Sequence, residues 1–379
     1  MRTLHIDTEK GWRGGEQQAL YLMQGLLARG DTVHLVCRAG EPLAERAAAV
    51  GICTHPVHTR GELDPVAIAR VVNILRAEHY NIVHAHTAHA HTLAVAALAA
   101  CPARRRPACI VSRRVDFSIH KLPLRLSLLK YRFLVDRYIA ISQCVRDVLV
   151  ADGVPPQKIR VVYSAVDPGR YAGVSAAGLR EELGIAGHGP ILVNVAMLVD
   201  HKGQVYLLRA LPEILRVFPC AMCVIVGEGE LRGALEAEAR SLGVVDSVLF
   251  TGFRPDPLAC IAVGDVFLMT SHMEGLCTSI LDALALGVPV VATRAGGIPE
   301  IIQDGKNGLL AENRNPASIA AQTIRMLREP ELRARCIAAG RQTIAGRFSV
   351  SRLVADTVAV YEEVLQPKGG CRTQGGRAG

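Results

Sequence analysis

Short β-branched runs alternate with amphipathic helical stretches along nearly the whole chain, a pattern that leaves few folds open. It is the signature of parallel strands joined by crossover helices. Strands are predicted at 3–8, 32–38, 81–86, 108–113, 137–142 and 159–163, which make a first doubly wound sheet. A Gly-rich, partly helical passage follows Asp167 and reads as a hinge. A second sheet is predicted from 191–197, 221–227, 247–251, 265–270 and 288–293. With 379 residues, half of them apolar, each unit can bury its own core. The expected division is 1–175 for the first domain and 176–349 for the second, with a helix at about 350–366 expected to return to the first, and a disordered tail at 367–379.

Charge is unevenly placed. Residues 1–175 hold 23 basic and 14 acidic residues, whereas the remainder holds 20 and 21. That asymmetry points the first half toward an anionic partner such as a phosphate, an acidic lipid surface or nucleic acid. Aromatics are 4% of the chain and no nucleic-acid motif appears, which argues against nucleic acid. The 11 cysteines lie scattered through apolar segments, as expected for reduced thiols in the cytoplasm. The N-terminus reaches Asp7, Glu9 and Lys10 without an apolar stretch, so neither a signal peptide nor a membrane-spanning helix is expected.

In open α/β sheets ligands sit beyond the carboxyl ends of the strands. After the first predicted strand comes Gly11, Trp12, Arg13, Gly14 and Gly15, where glycines would let backbone approach a phosphate or sugar, or simply make a turn. The strongest signal is Ser271-His272-Met273-Glu274-Gly275, continuing through Leu276, Cys277 and Thr278 to Asp282. Two carboxylates on either side of a strand-to-helix turn can hold hydroxyls of one ligand at two points, and the amides between them suit an anion. The alternative is a helix-capping Glu274 and an Asp282 at the core edge. Lys202 follows the first strand of the second sheet and could neutralise a diphosphate, while Gly296-Gly297-Ile298-Pro299-Glu300 closes a third loop at that edge.

These blocks, with Val226-Gly227-Glu228-Gly229, Phe250-Thr251-Gly252 and the run 283–291, occur in the order seen in glycosyltransferase family 4. The chain resembles those retaining GT-B enzymes over nearly its whole length, including Gly14-Gly15, 82–86 and 139–142 in the first half. The resemblance implies two Rossmann-like domains across a cleft, with the second binding a nucleotide-diphosphate sugar and the first presenting the acceptor surface. Glu274 would contact the donor sugar, Asp282 the ribose, Lys202 the diphosphate, and the amides of Gly275, Leu276, Cys277 and Thr278 sugar and phosphate. Gly14, Gly15 and Gly227 would lie beside the donor, Phe253 beside its base, and His86 on the acceptor side. Two departures stand out. Met197 occupies the place of a usual arginine, and Ser112-Arg113-Arg114 follows a strand where many members carry a histidine, so that Arg113 or Arg114 could supply the missing charge.

The resemblance further implies retention of configuration, with a phosphate oxygen taking the acceptor proton and neither a metal nor another cofactor required. Cell-envelope members that build lipopolysaccharide look most similar, which implies a glycan or lipid-linked acceptor. The segment 113–137 interleaves basic residues with leucines and reads as an amphipathic helix, either on an anionic membrane at the inner face of the cytoplasmic membrane or on the core. His84, His86, His89 and His91 resemble a metal cluster but read better as packed or acceptor-side histidines. Cys220 and Cys223 read as inert core thiols. A sugar-nucleotide epimerase and a non-catalytic glycan-binding or scaffold relative are the alternatives to a transferase.

Overall fold

Two parallel sheets organise the chain in a computed structural model that describes residues 1–61, 63–119, 127–185 and 188–366. The first contains β1 (Arg2–Ile6), β2 (Thr32–Cys37), β3 (Cys53–Pro56), β4 (Ile82–Ala85), β5 (Ala108–Arg113), β6 (Arg137–Ala140) and β7 (Ile159–Val161). Its order is β3-β2-β1-β4-β5-β6-β7. The second contains β8 (Ile191–Val195), β9 (Met222–Val226), β10 (Val248–Gly252), β11 (Val266–Met269), β12 (Val290–Thr293) and β13 (Leu309–Ala311), in the order β10-β9-β8-β11-β12-β13. Every ladder is parallel, and β4, β11, β12 and β13 are buried along their whole length. Helices cover both faces of such sheets, which is why the strands read as continuous apolar runs.

Each sheet reverses its winding at one point, between β1 and β4 in the first and between β8 and β11 in the second. Loops leaving the carboxyl ends of those strands diverge there and open a crevice. The helix Val350–Leu365 crosses back and packs on the helix Gly14–Ala28. Contact is close because position 25 is glycine: a Cβ there would stand 2.2 Å from Val354 Cγ2. Tyr361 is fully buried, its hydroxyl 2.6 Å from His84 Nδ1, and Glu363 pairs with Arg137 and Arg160.

All the expected strands are present, and most end one or two residues earlier, as at Ile6 and Val195, because the chain turns into the crevice loops there. The edge strands β3 and β13 were not anticipated. The segment 113–137 is not one helix: Arg113 ends β5, Arg137 begins β6, and the helix between them is Ser127–Arg132. Residues 120–126 of that segment, and the tail 367–379, lie outside the described residues. Cys223 is buried on β9, but Cys220 is exposed at the turn before it, so only one thiol of the pair is a core residue.

Candidate active site

Lys202 ends a short helical turn (Asp200–Lys202) after β8, and Glu274 lies in the loop after β11, so the winding reversal of the second sheet brings them together. Lys202 Nζ is 2.5 Å from Glu274 Oε2, and Ser271 Oγ donates to the same oxygen at 3.2 Å. Burial alone pulls the Lys202 ammonium down, but the Glu274 carboxylate outweighs it and holds the pKa above its ordinary value. The loops are tied to one another. His272 meets Asp200 at 3.1 Å, and Gly297 N–H donates to the Glu274 carbonyl at 2.8 Å. The pair is therefore held from three sides.

Glu274 leads into the helix Thr278–Leu286, whose N-cap, Cys277, makes no side-chain capping bond. First-turn amides without a cap carry the positive end of the helix dipole and suit an anion. Gly227, directly after β9 and in a left-handed backbone at φ +139°, lies against the loop after β8, where a Cβ would meet the Ala196 carbonyl at 2.1 Å. Together with Met197, Lys202, Phe253 and Ser279, and with Trp12, Arg13 and Gly14 from the first domain, it lines a cleft of about 330 Å³. Phe253 is 73% exposed at its rim. A further hollow of about 730 Å³ shares Trp12, Phe253 and Arg254 and continues toward Arg46 and Arg170.

Across the cleft the first domain approaches closely. A Cβ on Gly14 would stand 3.0 Å from Thr278 Oγ1, and one on Gly275 would stand 2.6 Å from the Arg114 carbonyl. The Arg114 side chain passes under Gly15 and reaches His86 Nδ1 at 3.4 Å. Burial lowers its pKa, while Asp7 and Glu16 oppose the shift. Arg113 is not brought to the cleft, since its guanidinium is spent on the Phe117 carbonyl and the Tyr131 hydroxyl. Arg13 is the arginine that sequence reasoning missed. Exposed between Gly11 and Gly14, its position in a Gly-rich loop after β1 was the available signal.

Asp282 is the site residue most engaged elsewhere. Tyr171 O–H donates to its Oδ1 at 2.7 Å, and Arg170 Nη1 lies 3.7 Å from that oxygen. Burial raises its pKa, against the pull of Tyr171 and Arg170. His86 stacks on His84 and His5, with His86 Nε2 2.9 Å from His5 Nδ1. Those three histidines converge, but His84 is already bonded to Tyr361 and Ser112, and His86 faces the Arg114 cation. His91 is instead packed edge-on against Tyr131, and His89 is exposed on the same helix. Leu276 and Cys277 are buried beneath the turn.

Comparison with known proteins accords with this geometry. Residues 12–170 match the family described as Glycosyltransferase Family 4, and residues 177–343 match Glycosyl transferases group 1. The chain is 31% identical over 346 residues to a GDP-mannose-dependent alpha-(1-6)-phosphatidylinositol monomannoside mannosyltransferase of Mycolicibacterium smegmatis, spanning 87% of this chain and 90% of that one. It is 31% identical over 193 residues to the lipopolysaccharide core biosynthesis glycosyltransferase LpsE of Rhizobium meliloti, covering 51% of this chain and 54% of that one. Two other relatives are likewise matched over only 55% and 56% of their length. Anabaena HepE, solved with UDP and glucose, superposes with a TM-score of 0.82 at 22% identity, over 96% of this chain and 100% of that one. With two facing parallel-sheet domains, both family matches in sequence order and a full-length relative, the chain belongs to the GT-B glycosyltransferases of family 4.

Proposed function

We propose that the protein moves a sugar from a nucleotide-diphosphate sugar to a hydroxyl of a glycan or lipid-linked acceptor, with retention of configuration, in the synthesis of cell-envelope polysaccharide. The observation that carries this reading is the Lys202–Glu274 pair at the winding reversal of the second sheet, facing Gly14 and Arg13 across the cleft. Without ligand the two side chains neutralise each other. In the donor complex, Lys202 and the amides of Leu276, Cys277 and Thr278 take the diphosphate, and Glu274 accepts hydroxyls of the sugar. The bond from the anomeric carbon to the phosphate oxygen breaks as the bond to the acceptor oxygen forms on the same face, and a phosphate oxygen takes the acceptor proton. Fixed cations stabilise the charge that grows on the leaving oxygens more than they stabilise the intact donor.

Arg13, which lines the cleft with Met197, and Arg114, which reaches His86, are the first-domain cations assigned to the charge that Met197 does not supply, and no metal is needed in this scheme. Asp282 offers Oδ2 to the ribose while Oδ1 stays with Tyr171. Phe253 provides a face for the base, and His86 stands on the acceptor side. The domain limits proposed are 1–175 and 176–349. Among the described residues no helix is long and apolar enough to cross a membrane. Exposed Phe117 and Phe133 with Arg132 support peripheral contact of the 113–137 segment with the cytoplasmic membrane's inner face. The function named for the mycobacterial relative, modification of a phosphatidylinositol mannoside, is consistent with a lipid-linked acceptor.

The test is a thermal-shift screen with UDP-, GDP- and ADP-sugars, followed by transfer assays with the donor that binds and EDTA present. Stabilisation by one donor and metal-independent product formation are expected. Interconversion of the donor with no acceptor present would establish the epimerase, and absence of any shift would sink the donor assignment.

A further inference from the structure

Away from the cleft, at the opposite edge of the first sheet, the amino ends of β4 to β7 enclose a pocket of about 650 Å³. Arg104, Arg105, Arg106 and Lys158 line it, with Asn81 and Asp136. Four cations converge there. Among the described residues none of the four has a carboxylate within ion-pair distance. The nearby Arg137 and Arg160 are different, since both are bonded to Glu363 at 2.8 and 2.5 Å. Asp136 brings one negative charge to the lining, its Oδ2 accepting the Cys109 N–H at 2.9 Å, against the four cations, so the pocket keeps a net positive charge.

Local bonds leave much of this charge unmet. Arg106 donates through Nη2 to the Cys101 carbonyl, while its buried Nε has no hydrogen-bond partner among the described residues. Lys158 Nζ donates to the Val135 carbonyl at 2.7 Å, which fixes the ammonium at the rim. Arg104 and Arg105 are exposed on the short turn Ala103–Arg105, and neither makes a side-chain hydrogen bond among the described residues. Like charges held in one concavity repel, and an anion entering it gains from all of them at once. Guanidinium forks match the geometry of phosphate oxygens.

We propose that this pocket is a second anion site, separate from the donor cleft, which takes a phosphate-bearing group of small size. Its chemistry is that of a phosphomonoester, pyrophosphate or phosphodiester headgroup, and the site would anchor the first domain to such a group while the cleft stays free. The proposal does not depend on the transfer reaction, because its residues lie at the amino ends of first-sheet strands, whereas Lys202 and Glu274 lie in loops at the carboxyl ends of second-sheet strands.

The experiment uses the full chain carrying Lys202→Ala, which removes the ammonium that would hold pyrophosphate in the cleft. Pyrophosphate at about one hundred times its Kd should raise Tm by several degrees. Adding Arg104→Glu and Arg105→Glu should abolish that rise, with Arg104→Gln and Arg105→Gln as the milder pair if the reversal of charge lowers Tm by itself. A second arm sediments the wild-type chain and the same double variants with phosphatidylglycerol-containing vesicles and with pure phosphatidylcholine vesicles. Loss of anionic-vesicle pelleting in the double variants identifies a lipid headgroup as the source. A pyrophosphate shift with unchanged pelleting identifies a free phosphate compound. A Tm and a pelleting profile that the double variants leave untouched would overturn the proposal.

Discussion

Glu300 of the second domain accepts the backbone N–H of Gln143, in the first domain, at 2.8 Å. The same carboxylate takes the Cys144 N–H at 2.9 Å and the Tyr163 hydroxyl at 3.0 Å, so one side chain crosses between domains to the start of the helix Gln143–Ala151. Charge-assisted bonds at a helix N-terminus contribute about 1.5–3 kcal/mol each. Such a link sets how closely the two sheets face.

Glu300→Ala should therefore loosen closure without unfolding either domain. Small-angle scattering is expected to give a larger radius of gyration, and kcat for transfer should fall about tenfold as the groups across the cleft lose alignment. Tyr163→Phe, which removes one bond of three, should do less. Scattering identical to wild type would show that other contacts hold the domains.

Lys202 and Glu274 lend themselves to separate substitution. Lys202→Ala should weaken nucleotide-diphosphate binding and cut kcat by about 100-fold, as expected when a cation facing a leaving group is lost. Glu274→Gln keeps the size and some hydrogen bonding, so nucleotide affinity should stay close to wild type while transfer falls by a similar factor. Isothermal titration with the free nucleotide diphosphate, run beside the transfer assay, distinguishes the two. Equal loss of nucleotide affinity in both variants would contradict the division of roles.

Alternation of apolar runs was enough to read the two sheets, because strands buried on both faces leave a continuous signal. The strands that escaped notice are edges: β3 is Cys-Thr-His-Pro, with no buried residue, and β13 is only three residues long. Within the site, Lys202 and Glu274 were legible from their place after strands. The side chain that holds Asp282 was not, since Tyr171 lies 111 residues away in sequence and only the fold brings it near. Arg113 and Arg114 are adjacent in sequence, yet β5 sends one toward Tyr131 and the other toward His86. Alternation along a strand end separates neighbours, and nothing in their composition says which one faces the cleft.

Tyr171→Phe tests the state of Asp282. Losing the 2.7 Å bond leaves a partly buried carboxyl short of a donor, which should cost about 1–2 kcal/mol of stability. If Oδ2 serves the ribose while Tyr171 orients the group, donor Kd should rise several-fold with kcat nearly unchanged, and Asp282→Asn should raise it further. Donor binding that tightens in Tyr171→Phe would mean the tyrosine competes with the ribose.

Stability should also depend on pH through Asp7, the residue after β1. Burial first, and the charge of Glu16 second, push its carboxyl up to about 7 from an ordinary 3.8. Its Oδ1 accepts the Glu9 N–H at 3.1 Å, while Oδ2 is buried with no hydrogen-bond partner among the described residues. Because the folded value is raised, the folded state holds its proton more tightly: the contribution is full below about pH 4 and is lost as pH rises through 7. The buried histidines act at the other end. Burial pulls His5 down to about 3, and His84 and His86 well below 6.5, so stability falls as pH drops from 6.5 toward those values. Asn mimics the protonated carboxyl, so Asp7→Asn should match wild type below about pH 4, gain on it as pH rises from about 4 to about 7 and level off above that, by about 4 kcal/mol in all and by about 2–3 kcal/mol between pH 5 and 8. Urea denaturation across that range measures the difference. A constant offset between the two proteins from pH 5 to 8 would mean that Asp7 is ionised throughout, and that Arg114 meets its charge more fully than the burial of Oδ2 indicates.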